Sequence, residues 1–283
     1  MAVFLVAMVA GIAVGRSLPD DRVVAAAAPP TTVAPEPVRV VLAGDSVMAG
    51  LVPAVEAALE PTGRATVDFV LTPAILRDPS IRFSWSQELE RLDPDLVVMF
   101  VGTWEDREIR LPGSPPTSTG AEAGPDGTLD PDSPIWAGRY RAEVVDPWLD
   151  LITAGGARVL WIGAPPVPDP QRSAFFDDLN AVFSSLPDDW SQVTYLDPTR
   201  ALGPGGLAFA ETVVLPDGTV VRLRQVDGLH LCPSGAQLLA ELVVGDLASQ
   251  LGVPAAEGWQ DQAWRTDVGL YPTEGCPAPD APA

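Results

Sequence analysis

The sequence predicts an α/β protein: a three-layer α/β/α sandwich around a five-stranded parallel sheet. Three observations carry this expectation. Short β-branched and apolar runs alternate with helical patterns from Val38 to Leu251, the signature of successive β-α-β units. The run from Asp95 to Val101 lacks polar alternation, as strands do when helices cover both faces of a sheet. At 283 residues, with 47% hydrophobic and 19% charged side chains, the chain can bury a sizeable core.

Val38 to Ala43 reads as the first buried strand and opens into Gly44-Asp45-Ser46, with a helical pattern from Ala54 to Leu59. Ala65 to Leu71 is the second strand, Trp85 to Leu92 a short helix, and Asp95 to Val101 the third strand. Leu111 to Ser133, dense in Pro, Gly, Ser and Thr, reads as a long loop, either disordered or a functional lid. Trp136, Tyr140, Val144 and Trp148 then recur every four positions. That helix is expected to kink or restart at Pro147, with Asp146 as cap, and to end at Gly155-Gly156. Arg158 to Gly163 is the fourth strand, Ser173 to Leu186 a helix, and Val193 to Leu196 the fifth strand. Val213 to Leu215 and Thr219 to Leu223 flank Pro216-Asp217-Gly218 as a hairpin. Ser234 to Leu251 carries an apolar four-residue repeat, with Ser234 and Gln237 as a capping box.

No internal repeat is visible, so residues 38–252 read as one domain. Residues 1–37 read as a signal peptide or membrane anchor plus a Pro/Ala-rich linker. The apolar run from Ala2 to Val14 is shorter than the roughly 20 residues that span a bilayer, so secretion and N-terminal anchoring are both open. Residues 253–283 form a Pro-rich tail in which Trp259, Trp264 and Tyr271 are expected to pack the tail down. Export permits a disulfide between Cys232 and Cys276 that pins this tail to the domain.

The 17 basic residues, all Arg, stand against 38 acidic ones, for a net charge of −21. Such a surface repels polyanions and argues against a nucleic-acid partner; a neutral glycan, lipid or small ester fits it better. Two Cys and one His leave no room for a four-ligand Cys/His zinc site, and no metal or other cofactor is expected. Any mechanism that needs a histidine base must use His230; otherwise that residue is structural or exposed.

In an open parallel sheet, ligands bind beyond the carboxyl ends of the strands, where the connections diverge. Gly44-Asp45-Ser46 follows the first strand and Gly102-Thr103-Trp104-Glu105 the third, which are neighbours in a 2-1-3-4-5 order. Taken alone, the first motif is equally a strand-to-helix turn with Ser46 as cap. Asp227-Gly228-Leu229-His230 adds what a serine nucleophile requires: an imidazole to take its proton and a carboxylate to orient the imidazole. The alternative is a turn aspartate beside a surface histidine.

With these motifs at its two ends, the segment Val38 to Leu251 resembles the SGNH, or GDSL-like, hydrolase family of serine esterases and acyltransferases. The resemblance implies a flavodoxin-like SGNH fold, Ser46 as nucleophile, His230 as base, Asp227 as its orienting acid, and Asp45 as a structural neighbour. It also places the Ser46 backbone, Gly102 and Trp104 around the oxyanion. The family's third motif is usually Gly-x-Asn-Asp, and Trp104 at the Asn position offers only an indole N–H. The family's glycine after the second strand has no counterpart between Leu71 and Ser86; backbone N–H groups near Thr72 to Ile75, Pro73 excepted, are the substitutes.

The Trp-containing third motif is similar to those of exported actinobacterial relatives associated with acyl groups on cell-envelope glycans. That likeness implies an exported esterase acting on O-acyl, above all O-acetyl, esters of such glycans or on small esters. An O-acyltransferase with the same triad is the alternative, and a catalytically idle glycan-binding or assembly module a third. A metal-dependent phosphohydrolase on Asp45 and Asp227 lacks further carboxylates at suitable spacing. Arg107 is either a substrate-binding group or part of a solvated loop, and Trp85, Trp136 and Trp161 either stack on sugar or fill the core. A monomer is the expected state.

Overall fold

The computed structural model describes residues 36–71, 76, 81–105, 109–110, 128–129, 131–203, 209–266 and 275–276. The expectations for the export segment, most of the long loop, Thr72 to Ile75, Arg107 and Tyr271 lie outside the described residues.

Five parallel strands run in the order β2-β1-β3-β6-β7: β1 is Val38–Gly44, β2 Ala65–Leu71, β3 Leu96–Phe100, β6 Arg158–Ile162 and β7 Val193–Leu196. Counted along the sheet this is the expected 2-1-3-4-5 order. β4 (Ile109–Arg110) pairs with β5 (Thr128–Leu129), and β8 (Thr212–Val214) forms a hairpin with β9 (Val220–Arg222).

Side chains alternate along the strands between two apolar faces, which explains why β3 carries no polar alternation. Val41, Ala43, Val97, Met99, Val159 and Trp161 face α2 (Ile81–Leu92), α3 (Trp136–Tyr140), α4 (Asp146–Thr153) and α5 (Pro170–Ser184). Val40, Leu42, Val98, Phe100, Leu160 and Ile162 face α1 (Ser46–Leu59) and α8 (Pro233–Leu251). Short helices α6 (Leu186–Asp189) and α7 (Thr199–Leu202) flank β7. Trp85, Trp136 and Trp161 are at most 2% exposed, so all three fill the core rather than a sugar-stacking surface.

Two expected helix caps are corrected. The chain stays right-handed helical from α3 through a π-helical turn at Arg141–Val145 into α4, and Asp146 does not cap a new helix. Pro147 lacks an N–H and its ring crowds the carbonyl of Glu143, and the chain passes through the π-helical turn just before it, the α-helix resuming at Asp146. Asp146 instead accepts hydrogen bonds from Arg141 Nε and Trp190 Nε1 at 3.5 and 3.4 Å. Nor is there a capping box on α8: Cys232 is the N-cap, with no side-chain bond, and Pro233 opens the helix. Proline suits that position because the first helical N–H is unpaired in any case. Ser234 and Gln237 lie inside α8 and accept from Arg265, Ser234 Oγ at 3.3 Å.

After α8 the chain returns to the core, where Val253 and Trp259 are buried with the residues of α1. The Ala256 N–H donates to the Ala58 carbonyl at 2.7 Å, and Trp264 stacks on Trp259 at 6.0 Å. Among the described residues no helix is long and apolar enough to cross a membrane.

Candidate active site

α1 leaves β1 toward one face of the sheet, and the chain after β3 leaves toward the other. Between these exits, Asp45 caps α1: its backbone is extended and Oδ1 accepts the Val47 N–H at 2.9 Å. The cap is therefore Asp45 and not Ser46, which leaves the Ser46 hydroxyl available at the first helical position. Asp45 is buried, and its Oδ2 accepts the Thr103 hydroxyl. Burial raises its pKa, outweighing the opposing bonds from Thr103 and Val47.

Thr103 belongs to the turn after β3. Gly102 precedes it at φ +132°, a conformation that side chains strain, and a Cβ there would come within 3.0 Å of Leu179 Cδ2. The Thr103 carbonyl accepts Arg172 Nη2 from the first turn of α5, and that guanidinium lies 5.3 Å over the Phe176 ring. Asp169 fixes the start of α5, its Oδ1 accepting the Arg172 N–H at 2.8 Å.

The histidine arrives on a reversed segment ahead of α8. Arg224 bridges Leu231 in antiparallel fashion, the Gln225 N–H donates to the His230 carbonyl, and the Cys232 N–H donates to the Leu223 carbonyl, both at 2.9 Å. At the tip, Asp227 Oδ1 accepts the N–H groups of Leu229 and His230 at 2.9 and 3.1 Å. Gly228 sits at φ +72° with Pro168 where a Cβ would stand. The folded tip brings Asp227 Oδ2 to 2.5 Å from His230 Nδ1, and His230 Nε2 lies 2.9 Å from Ser46 Oγ. Burial opposes ionisation of Asp227, but the His230 ring and the two backbone N–H groups together hold its carboxyl below the ordinary 3.8.

Arg224 is fully buried under this tip, its Nη1 donating to the Leu229 carbonyl at 2.9 Å. Burial pushes its pKa down to about 10, against the opposing charge of Asp227. From the tail, the Gly275 carbonyl accepts the Val226 N–H at 2.9 Å, and Cys276 is bonded to Cys232 across a Cα separation of 5.7 Å.

Ser46, His230 and Asp227 thus stand in one hydrogen-bonded series. Gly102 and Trp104 flank Thr103 on the adjoining strand end, and Trp104 is 37% exposed. With Nδ1–H donating to Asp227, Nε2 carries the lone pair that accepts from Ser46. Sequence reasoning missed the supports, Arg172 and Arg224. Asp169-Pro170 at the start of α5 was the one local signal near Arg172, since its partner Thr103 lies 69 residues away.

Residues 39–246 match the family described as "Protein of unknown function (DUF459)". No curated protein matches the chain. Among solved structures, it is similar to the C-terminal catalytic domain of Streptococcus pneumoniae peptidoglycan O-acetyltransferase A with a methylsulfonyl adduct. That similarity has 15% identity and a TM-score of 0.45 and covers 78% of this chain and 98% of that chain. A carbohydrate esterase family 3 from Talaromyces cellulolyticus is similar at 17% identity, covering 75% and 97%, with a TM-score of 0.44. A Clostridium thermocellum family 3 carbohydrate esterase is similar at 13%, covering 74% and 94%, with a TM-score of 0.42. The family match spans well over half of the sequence, and the chain belongs to the DUF459 family.

Proposed function

We propose that this protein is a serine-dependent acyl-transfer enzyme acting on O-acyl esters, with O-acetyl esters of cell-envelope glycans or small esters as substrates. The series Ser46 Oγ, His230, Asp227, closed by contacts of 2.9 and 2.5 Å, carries this reading. A serine hydroxyl is a weak nucleophile until a base takes its proton. His230 Nε2 accepts that proton as Ser46 Oγ attacks the acyl carbonyl, and Asp227 stabilises the resulting imidazolium. The oxyanion forms beside the Ser46 backbone N–H at the positive end of α1, with Gly102 and Trp104 as further candidates for the hole. Collapse expels the alcohol, which takes its proton from His230 and leaves an acyl group on Ser46. Water as second acceptor makes the protein an esterase; a sugar hydroxyl makes it a transferase. The net charge of −21 suits a neutral glycan, and residues 1–37, read as an export signal or anchor, put the domain where such a substrate lies.

The test is intact-mass detection of a fluorophosphonate adduct on the full chain, mapped by peptide. One adduct at Ser46 is expected, absent from Ser46→Ala and slowed by about a hundredfold or more in His230→Ala. Folded wild-type protein that takes no adduct would turn the reading to a glycan-binding module without catalysis. Acetate release from an O-acetylated oligosaccharide, with and without an added sugar acceptor, then separates hydrolysis from transfer.

A further inference from the structure

We infer that Arg224 is a positioning residue for the base: its buried guanidinium fixes the peptide that carries His230 and so aims the imidazole at Ser46. The inference rests on the roles proposed above for Ser46 and His230. Arg224 has no exposed surface, and its Nε and Nη2 have no hydrogen-bond partner among the described residues. Burying a guanidinium so sparsely bonded costs stability, and an apolar side chain of similar volume would be the better filler. What an apolar residue cannot supply is the bond that Arg224 makes, from Nη1 to the Leu229 carbonyl at 2.9 Å.

That carbonyl and the His230 N–H belong to one peptide plane. Asp227 Oδ1 holds the N–H end at 3.1 Å while Arg224 holds the carbonyl end. A plane gripped at both edges resists rotation and so fixes where the His230 Cα stands, from which the contact of Nδ1 with Asp227 Oδ2 at 2.5 Å sets the ring. Arg224 is itself anchored, since its backbone bridges Leu231 and α8 packs Gly235 directly on Leu223. Asp227 thus acts on His230 from both ring and backbone, and Arg224 completes the grip from below.

The test compares wild type, Arg224→Lys and Arg224→Met by two measurements on the full chain. The first is the rate of fluorophosphonate labelling at Ser46, resolved into kinact and KI, with thermal unfolding beside it. Lysine keeps the charge but lacks the length and planar fork of arginine; methionine removes charge and donor together. Expected are losses in kinact of about tenfold for Arg224→Lys and about a hundredfold for Arg224→Met, with KI unchanged. The second is the NMR signal of the imidazole Nδ1 proton, which is assignable at once because the chain has one histidine. It is expected far downfield in wild type and shifted or broadened in the variants.

A folded variant with wild-type kinact and an unshifted imidazole signal would overturn the inference, as would a loss confined to KI. If Arg224→Met does not fold, Arg224→Lys decides by the same readings. Wild-type protein that takes no label at Ser46 overturns the functional proposal instead, and the imidazole signal still tests Arg224.

Discussion

Asp45 and Asp227 both act electrostatically on His230, yet their surroundings push them in opposite directions. Burial dominates at Asp45 and favours its protonated form, while its oxygens serve Val47 and Thr103. Asp227 is partly open to solvent and accepts three N–H groups, which keep it ionised. Only Asp227 is therefore suited to face an imidazolium. Because its folded pKa lies below 3.8, the stability it contributes is complete above that value and is lost as pH falls through the lower native one. Urea midpoints should accordingly place Asp227→Asn below wild type near neutrality, with the gap closing under pH 3.8. The same variant is expected to slow adduct formation at Ser46 by about 10⁴, because an amide does not enforce the required tautomer. That Ser46, Asp227 and His230 could be named together as candidates from the sequence follows from both motifs being local. Thr103 and Arg224 could not, since their bonds follow from how the turns meet.

Among the elements, helix starts decide where the site residues sit. α1 begins at Ser46, eight residues before its helical pattern becomes readable at Ala54, because Gly50 and Pro53 lower its apparent propensity. Burial of Val47, Met48, Leu51 and Val52 overrides that penalty. α5 and α8 offer a contrast that thermal unfolding can check. Asp169→Ala removes a formed cap and should cost about 1 kcal/mol, whereas Ser234→Ala removes no cap and should cost less than about 0.5 kcal/mol. Equal losses would show that Ser234 caps α8 after all. The capping-box pattern misled because Cys232 is the N-cap and Pro233 takes the first helical position, and Ser234 then lies two residues too far along.

For the molecule as a whole, the tail and the turn that carries His230 form one unit. The Cys232–Cys276 bond spans 44 residues and ends two residues from His230. Closing a loop of that length is worth about 4 kcal/mol through the unfolded chain, so Cys276→Ser should lower stability by roughly that amount. It should also slow labelling at Ser46, because the Val226–Gly275 bond loses its neighbouring anchor. Alkylation after reduction of denatured protein should add mass relative to alkylation alone; an unchanged mass would exclude the bridge.

By itself, the sequence determined the five strands, their three-layer packing and the two motifs at opposite ends of the domain. These rest on short-range periodicity and on turns a few residues long. Only the tertiary structure decided that Asp45 rather than Ser46 caps α1, that a π-helical turn precedes Pro147, and that Thr103, Arg172 and Arg224 support the site. Their contacts span from 5 to 69 residues, and each forms only because the sheet order and the reversed segment bring particular backbone edges together. No local pattern encodes such proximity.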